Sequence, residues 1–195
     1  LAKDTRKEKK RLKRQETGSP LIPAGDVRDR LGPIDWLVDG LIERDTVGAL
    51  FGDPGTYKSF LAIDWACCVA AGFDWHGRPV RQGSVIYIAG EGHGGFARRL
   101  AAWESQYRTP VRGLPLFFSR HAGSFLDPDS AELVAEAVQA ITADEGPPSL
   151  VVVDTLARNF GPGDESSNAD MSRFISALSE TLQVQGQAST VLLVH

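Results

Sequence analysis

The sequence predicts an α/β domain, a parallel β-sheet with helices on both faces. Three observations predict it. The runs "TVGALFG", "GSVIYIAGEG", "SLVVVDT" and "STVLLVH" are apolar almost throughout rather than alternately polar and apolar, as in strands covered on both sides. Segments of helical length and spacing separate them, so strand and helix alternate along the chain. A glycine-rich turn, "GDPGTYKS", joins the first of these strands to the next helix.

The elements follow in order. Residues 1–17, "LAKDTRKEKKRLKRQET", carry eight Lys/Arg against three Asp/Glu, whereas the 195 residues together carry −4. This is expected to be a basic disordered arm on an acidic body, able to touch nucleic acid or an acidic partner. Residues 18–33 are rich in Gly and Pro and read as a linker. Residues 34–195 make the domain. "TVGALFG" is a candidate buried strand, followed by a buried helix from Lys58 to about Ala71 with Phe60, Leu61, Ile63, Trp65 and Val69 among small residues. "GSVIYIAGEG" is the next strand and "FARRLAAWESQY" the next helix; "LPLFFS" is a third strand. Asp127 and Pro128 suit the N-cap and first turn of a helix reaching about Ile141. "SLVVVDT" is a buried strand. A helix opening near Asn168 places Met171, Phe174, Ile175 and Leu178 at helical spacing, and "STVLLVH" closes the series.

Composition excludes several classes. With 42% hydrophobic and 24% charged residues the chain reads as globular. No run approaches the ~18 apolar residues of a membrane span, and no apolar segment follows the basic start as in a secretion signal. A cytoplasmic location is expected. Cys67 and Cys68 are adjacent within an apolar helix pattern and read as small core residues. The start on Leu and the stop at the end of an apolar strand lead us to expect a fragment whose C-terminal part is absent.

Parallel α/β sheets bind ligands at the C-terminal ends of their strands. Four candidates fall there: the loop 52–59, Glu91, Asp154 and His195. Phosphate binding needs a glycine-rich turn with inward N–H groups, feeding a helix N-terminus. Gly52, Asp53, Pro54, Gly55, Thr56, Tyr57, Lys58, Ser59 and Phe60 form such a stretch. Lys58 is expected to reach the β/γ-phosphates and the Ser59 hydroxyl to ligate Mg²⁺. The position before the lysine, commonly glycine, is Tyr57, which must accept whatever backbone angles the loop imposes. Its ring could cover the nucleotide or meet a neighbouring subunit. Asp154, at the mouth of a buried strand, is costly there unless paired or metal-bound, and is expected to hold Mg²⁺ directly or through water. Thr155 follows Asp154 in place of a glutamate, so Glu91 is the candidate general base. His195 is a candidate γ-phosphate contact. His93 and His121 read as loop histidines, and Arg98 and Arg99 as a solvated helix face, with an approach of one of them to a phosphate or an adjoining subunit as the alternative.

Together, "DWLVDGLIERDTVGALFGDPGTYKSF", "GSVIYIAGEGHGGFARRLAAW", "VVVDTLARNFGPGDESSNADMSRFISAL" and "STVLLVH" resemble RecA-like AAA family ATPases of the RepA type, over about residues 34–195. The resemblance implies a RecA-like P-loop NTPase fold, with ATP and Mg²⁺ as ligands. It also implies a hexameric, helicase-type ring from plasmid or phage replication, with single-stranded DNA and replication proteins as partners. In that family the loop lysine and serine bind phosphate and Mg²⁺, here Lys58 and Ser59. The glutamate after the second strand is the base, here Glu91; the Walker B aspartate is here Asp154; the γ-phosphate sensor is here His195. An arginine finger would come from later sequence, across a subunit interface.

Such folds turn the loop after the Walker B strand toward DNA. Here it is "ARNFGPGDESSNAD", offering Arg158 and Asn159 against Asp164, Glu165 and Asp170. Phosphate backbones are gripped mainly by Lys and Arg, so a second class stays open: an ATP-gated regulator or loader with slow hydrolysis.

Overall fold

A computed structural model describes residues 24–29, 32–90, 93–182 and 189–195; within these, the side chains of Asp26 and His93 are left aside. The chain divides into Leu1–Ile34 and Asp35–His195. In the first unit the described residues hold one short helix, α1 (Ala24–Asp29), within the stretch expected as a linker. The basic arm, residues 1–17, lies outside the described residues.

The second unit opens with a small antiparallel hairpin, β1 (Trp36–Val38) and β2 (Ile42–Glu43). A five-stranded sheet follows. Its strands are β3 (Val47–Leu50), β4 (Val85–Ala89), β5 (Leu116–Phe118), β6 (Leu150–Asp154) and β7 (Thr190–Val194). Their order is β3-β7-β6-β4-β5, and every pairing is parallel. The connecting helices are α2 (Lys58–Ala71), α3 (His93–Tyr107), α4 (Pro128–Glu145), α5 (Leu156–Phe160) and α6 (Asn168–Leu182). The expected α/β RecA-like P-loop fold is what forms.

Strand periodicity splits the core in two. Val85, Tyr87, Ala89, Leu150, Val152, Leu192 and Val194 pack with α2 and α3. Ile86, Ile88, Val151, Val153, Val191 and Leu193 point to the other face, against Phe125, Val138, Phe160, Phe174, Leu178 and Leu182. Both faces being apolar explains why β4, β6 and β7 read as unbroken hydrophobic runs. The same parity puts Asp154, two residues after Val152, on the α2 face, and this is what positions the site.

Helix ends follow their sequence. Asp127 caps α4 by accepting from Asp129 N at 3.1 Å, with Pro128 in the first turn. Gly72 ends α2 in the left-handed region, at φ 71°, its N–H donating to Cys68 O at 2.8 Å. Cys67 and Cys68 are buried free thiols. Burial raises both, Cys68 to about 11.

Two details correct the sequence reading. β3 is an edge strand, not a buried one: among the described residues it pairs with β7 alone, and Val47 is 52% exposed. Composition cannot tell an edge from a centre when both are apolar. Ile175 lies at the exposed margin of α6, whereas Phe174, Leu178 and Leu182 face the sheet.

Candidate functional site

The ends of β3 and β7 are tied together. His195 N donates to Leu50 O at 2.9 Å, and Gly52 N donates to His195 O at 3.2 Å. The loop therefore leaves the sheet beside His195. Gly52, Asp53, Pro54, Gly55 and Thr56 are exposed. A turn holds them: Thr56 N and Oγ1 both donate to Asp53 O, at 3.3 and 2.8 Å. Gly55 has φ 82°, a region open to glycine. Tyr57 follows at φ 62°, ψ 20°, which explains why glycine suits this position.

Lys58 folds back over this turn, its Nζ donating to Gly52 O at 2.6 Å and to Asp53 O at 2.9 Å. Tyr57 is the N-cap of α2 yet offers no side-chain cap, and the first turn of α2 carries no acidic residue. Its leading N–H groups thus have no side-chain cap from Tyr57 and no acidic residue within their own turn, and they lie next to an ammonium group. That combination fits a phosphate chain.

Deeper in the site, Ser59 Oγ donates to Asp154 Oδ1 at 3.1 Å. Tyr87, on the neighbouring strand β4, donates its phenol to Asp154 Oδ2 at 2.5 Å. Asp154 is 2% exposed. Among the described residues, its burial is compensated by these two hydroxyls, not by a salt bridge. Burial, and next the Asp154 charge, push the Tyr87 phenol far up, so it stays a donor. No group of three or more His, Cys, Asp or Glu among the described residues could cage an ion unaided. A hydroxyl beside a carboxylate oxygen fits Mg²⁺, which takes one or two protein oxygens and completes its shell with water and phosphate.

Glu91 lies outside the described residues, as does Gly92. Gly90, just before them, donates its N–H to Asp154 O at 2.6 Å. A Cβ on Gly90 would come within 2.2 Å of Arg158 Cβ, so glycine is what lets β4 end against α5. His195 is exposed, with Nδ1 4.0 Å from Glu165 Oε2.

The segment after β6 departs from the sequence reading. Residues 156–160 form α5, and Asn159, expected in an open loop, is fully buried. Its Oδ1 accepts from Gly123 N at 2.7 Å and its Nδ2 donates to Thr155 O at 2.9 Å. Asp164 accepts from Ser166, and Asp170 from Arg173 and Asp164 N. Those hydrogen bonds, Ser166 for Asp164 and Arg173 for Asp170, lower both carboxyls below the usual range. The segment stays acidic. Arg99, expected on a solvated face, lies with Cζ 4.8 Å from the centroid of Phe60 and 5.2 Å from that of Phe96. His121 is exposed beyond β5, away from the loop's contacts.

Sequence reasoning missed Tyr87. A tyrosine inside the otherwise aliphatic run "VIYIA" was the available signal, because a buried phenol needs a partner.

The family model of the AAA domain matches residues 9–195. The chain belongs to the AAA domain family. It is accordingly a P-loop ATPase by family, and members of such families generally bind nucleotide and Mg²⁺. No curated protein matches this AAA domain chain. No helix among its described residues is long and apolar enough to cross a membrane.

Proposed function

We propose that the chain is a Mg²⁺-dependent ATPase of the RecA-like, RepA helicase type. It would work as a ring of several copies, six by the family resemblance, on single-stranded DNA during plasmid or phage-type replication. Its working domain is residues 34–195, preceded by the basic arm 1–17 and the linker 18–33. The observation that carries the ATPase reading is the Ser59–Asp154 hydrogen bond, 3.1 Å long, beside a glycine-bearing loop whose lysine folds over its turn at the N-terminus of α2.

The residues divide the work. Gly52 to Phe60 wrap the phosphates, with Lys58 on the β/γ oxygens. Ser59 and Asp154 hold the metal, and Tyr87 holds Asp154. Mg²⁺, when bound, would neutralise phosphate charge. Glu91 takes a proton from water as its oxygen bonds the γ-phosphorus, and the bond to the bridging oxygen breaks to leave ADP and phosphate. His195 contacts the γ-phosphate.

A second reading is favoured by the acidic segment 163–170 and by the burial of Asn159. Neither suits a DNA clamp. An ATP-gated regulator or loader, acting on protein partners, accommodates both. Steady-state hydrolysis with and without single-stranded DNA, at low salt, separates the two. Stimulation by DNA that disappears in Glu91→Gln supports the motor. Slow turnover indifferent to DNA supports the regulator. Absence of Mg²⁺-dependent hydrolysis, with nucleotide unbound, would overturn both.

A further inference from the structure

Between helix α4 and the edge strand β5 runs an apolar groove of about 550 Å³. Ile86, Ile88 and Phe117 line it on the sheet side, and Leu133, Val134 and Ile141 on the helix side. We propose that this groove docks a protein partner, taking an extended segment with apolar side chains at alternate positions and lysine or arginine beside them. Its lining includes neither Asp154 nor any residue of the loop 52–60, so docking here is independent of the nucleotide reading above.

Three features fix the kind of partner. The first is apolar surface left unused. Phe117 is in register with Ile86 across β5 and β4, and so lies with it on the α4 face of the sheet. Yet Phe117 is only partly buried and belongs to neither core cluster. On the helix side Leu133 is 66% exposed. Large apolar side chains left open on both walls of one groove mark an interaction surface.

The second is the sheet edge. Among the described residues β5 pairs with β4 alone. Ser119 N donates to Tyr87 O at 2.9 Å, and Pro115 O accepts from Val85 N at 2.8 Å. Alternation along the strand therefore turns the N–H and C=O of Phe118 outward, where an extended segment can pair with them.

The third is charge. Helix α4 carries Asp129, Glu132, Glu136, Asp144 and Glu145 and no lysine or arginine. Asp129 and Glu136, at i−4 and i+3 from Leu133, flank it on the helix surface. The groove's cations, Arg120 and His121, sit together past the end of β5, so the helical wall stays acidic along its length. Such a wall attracts a basic segment and repels a phosphate backbone. The groove is also formed in advance. Phe125 N donates to Asn159 O and Leu126 N to Phe160 O, both at 2.9 Å, which anchors the turn into α4. Preorganisation of this kind lowers the cost of binding.

Selection of random peptides displayed on phage, with the whole chain as target, tests this. We expect enriched sequences with apolar residues at alternate positions and Lys or Arg beside them. Fluorescence anisotropy of one such labelled peptide then reads affinity. Leu133→Glu should weaken it about tenfold or more, as loss of an interface anchor does. Glu136→Lys should weaken it about fivefold, and less at high salt. Leu133 is mostly exposed, so the substitution spares the core, and an unchanged melting temperature checks this. Gln139→Glu adds the same charge at an exposed position outside the groove and should leave affinity unchanged. Failure to enrich any peptide over the Leu133→Glu chain overturns the proposal, as does a consensus without basic residues or equal affinity in Leu133→Glu. Sedimentation of the chain alone covers the remaining occupant. Self-association that Leu133→Glu abolishes would assign the groove to a second copy and overturn the proposal as well.

Discussion

The two halves of the site are built on opposite principles. The loop 52–57 is exposed, is held by short-range bonds within itself apart from the Gly52–His195 bond at its base, and has left-handed backbone at Gly55 and Tyr57. Asp154 is buried at the end of a central strand and held by hydroxyls from two other elements, 95 and 67 residues away in sequence. The loop half must stay open, because its donors have to reach a ligand. The Asp154 half must stay closed, because a carboxylate alone in an apolar sheet is tolerated only while its oxygens are occupied. Adaptability and preorganisation are thus divided between two pieces of chain only one hydrogen bond apart.

Substitutions can break that contrast in order of expected effect. Asp154→Asn keeps the shape and one acceptor but removes the charge. Mg²⁺-dependent hydrolysis should fall on the order of 1000-fold, while the melting curve moves little; a large loss of stability instead would make Asp154 structural first. Lys58→Ala should weaken nucleotide binding on the order of 100-fold, by removing charge-assisted contacts. Because the lysine's own bonds are local and exposed, the urea midpoint should stay in place, and a shift would mean that the loop is not autonomous.

Tyr87→Phe tests the closed half from outside. The ring still packs on Phe96 and Phe118, but Asp154 loses one of its two donors. The Mg²⁺ concentration for half-maximal activity should rise about tenfold, as for other groups that orient a metal ligand, with ATP affinity little changed. Equal losses of both would point to general damage. Tyr57→Gly should act least. Relief of the left-handed tyrosine stabilises by about 1 kcal/mol, partly offset by glycine's entropy, and equilibrium unfolding would read it directly.

Legibility in the sequence followed locality. The loop and Asp154 were readable because each is a short pattern whose chemistry depends on adjacent residues. The contact of Tyr87 with Asp154 was not readable, since it is made across strands. Asn159 was misread for a related reason: its place after the Walker B strand suggested an open loop, but its amide oxygen and nitrogen serve the backbone of Gly123 and Thr155.

What the sequence determined by itself was the alternation of apolar strands with helices, and hence a parallel sheet with a phosphate loop at one strand end. Tertiary structure alone decided the order β3-β7-β6-β4-β5. That order leaves β3 at an edge, inserts β7 between the loop's strand and that of Asp154, and aligns β4 so that Tyr87 reaches the carboxylate. The strands are too alike in apolar character for local sequence to choose among neighbours. The choice is made by packing between residues far apart in the chain.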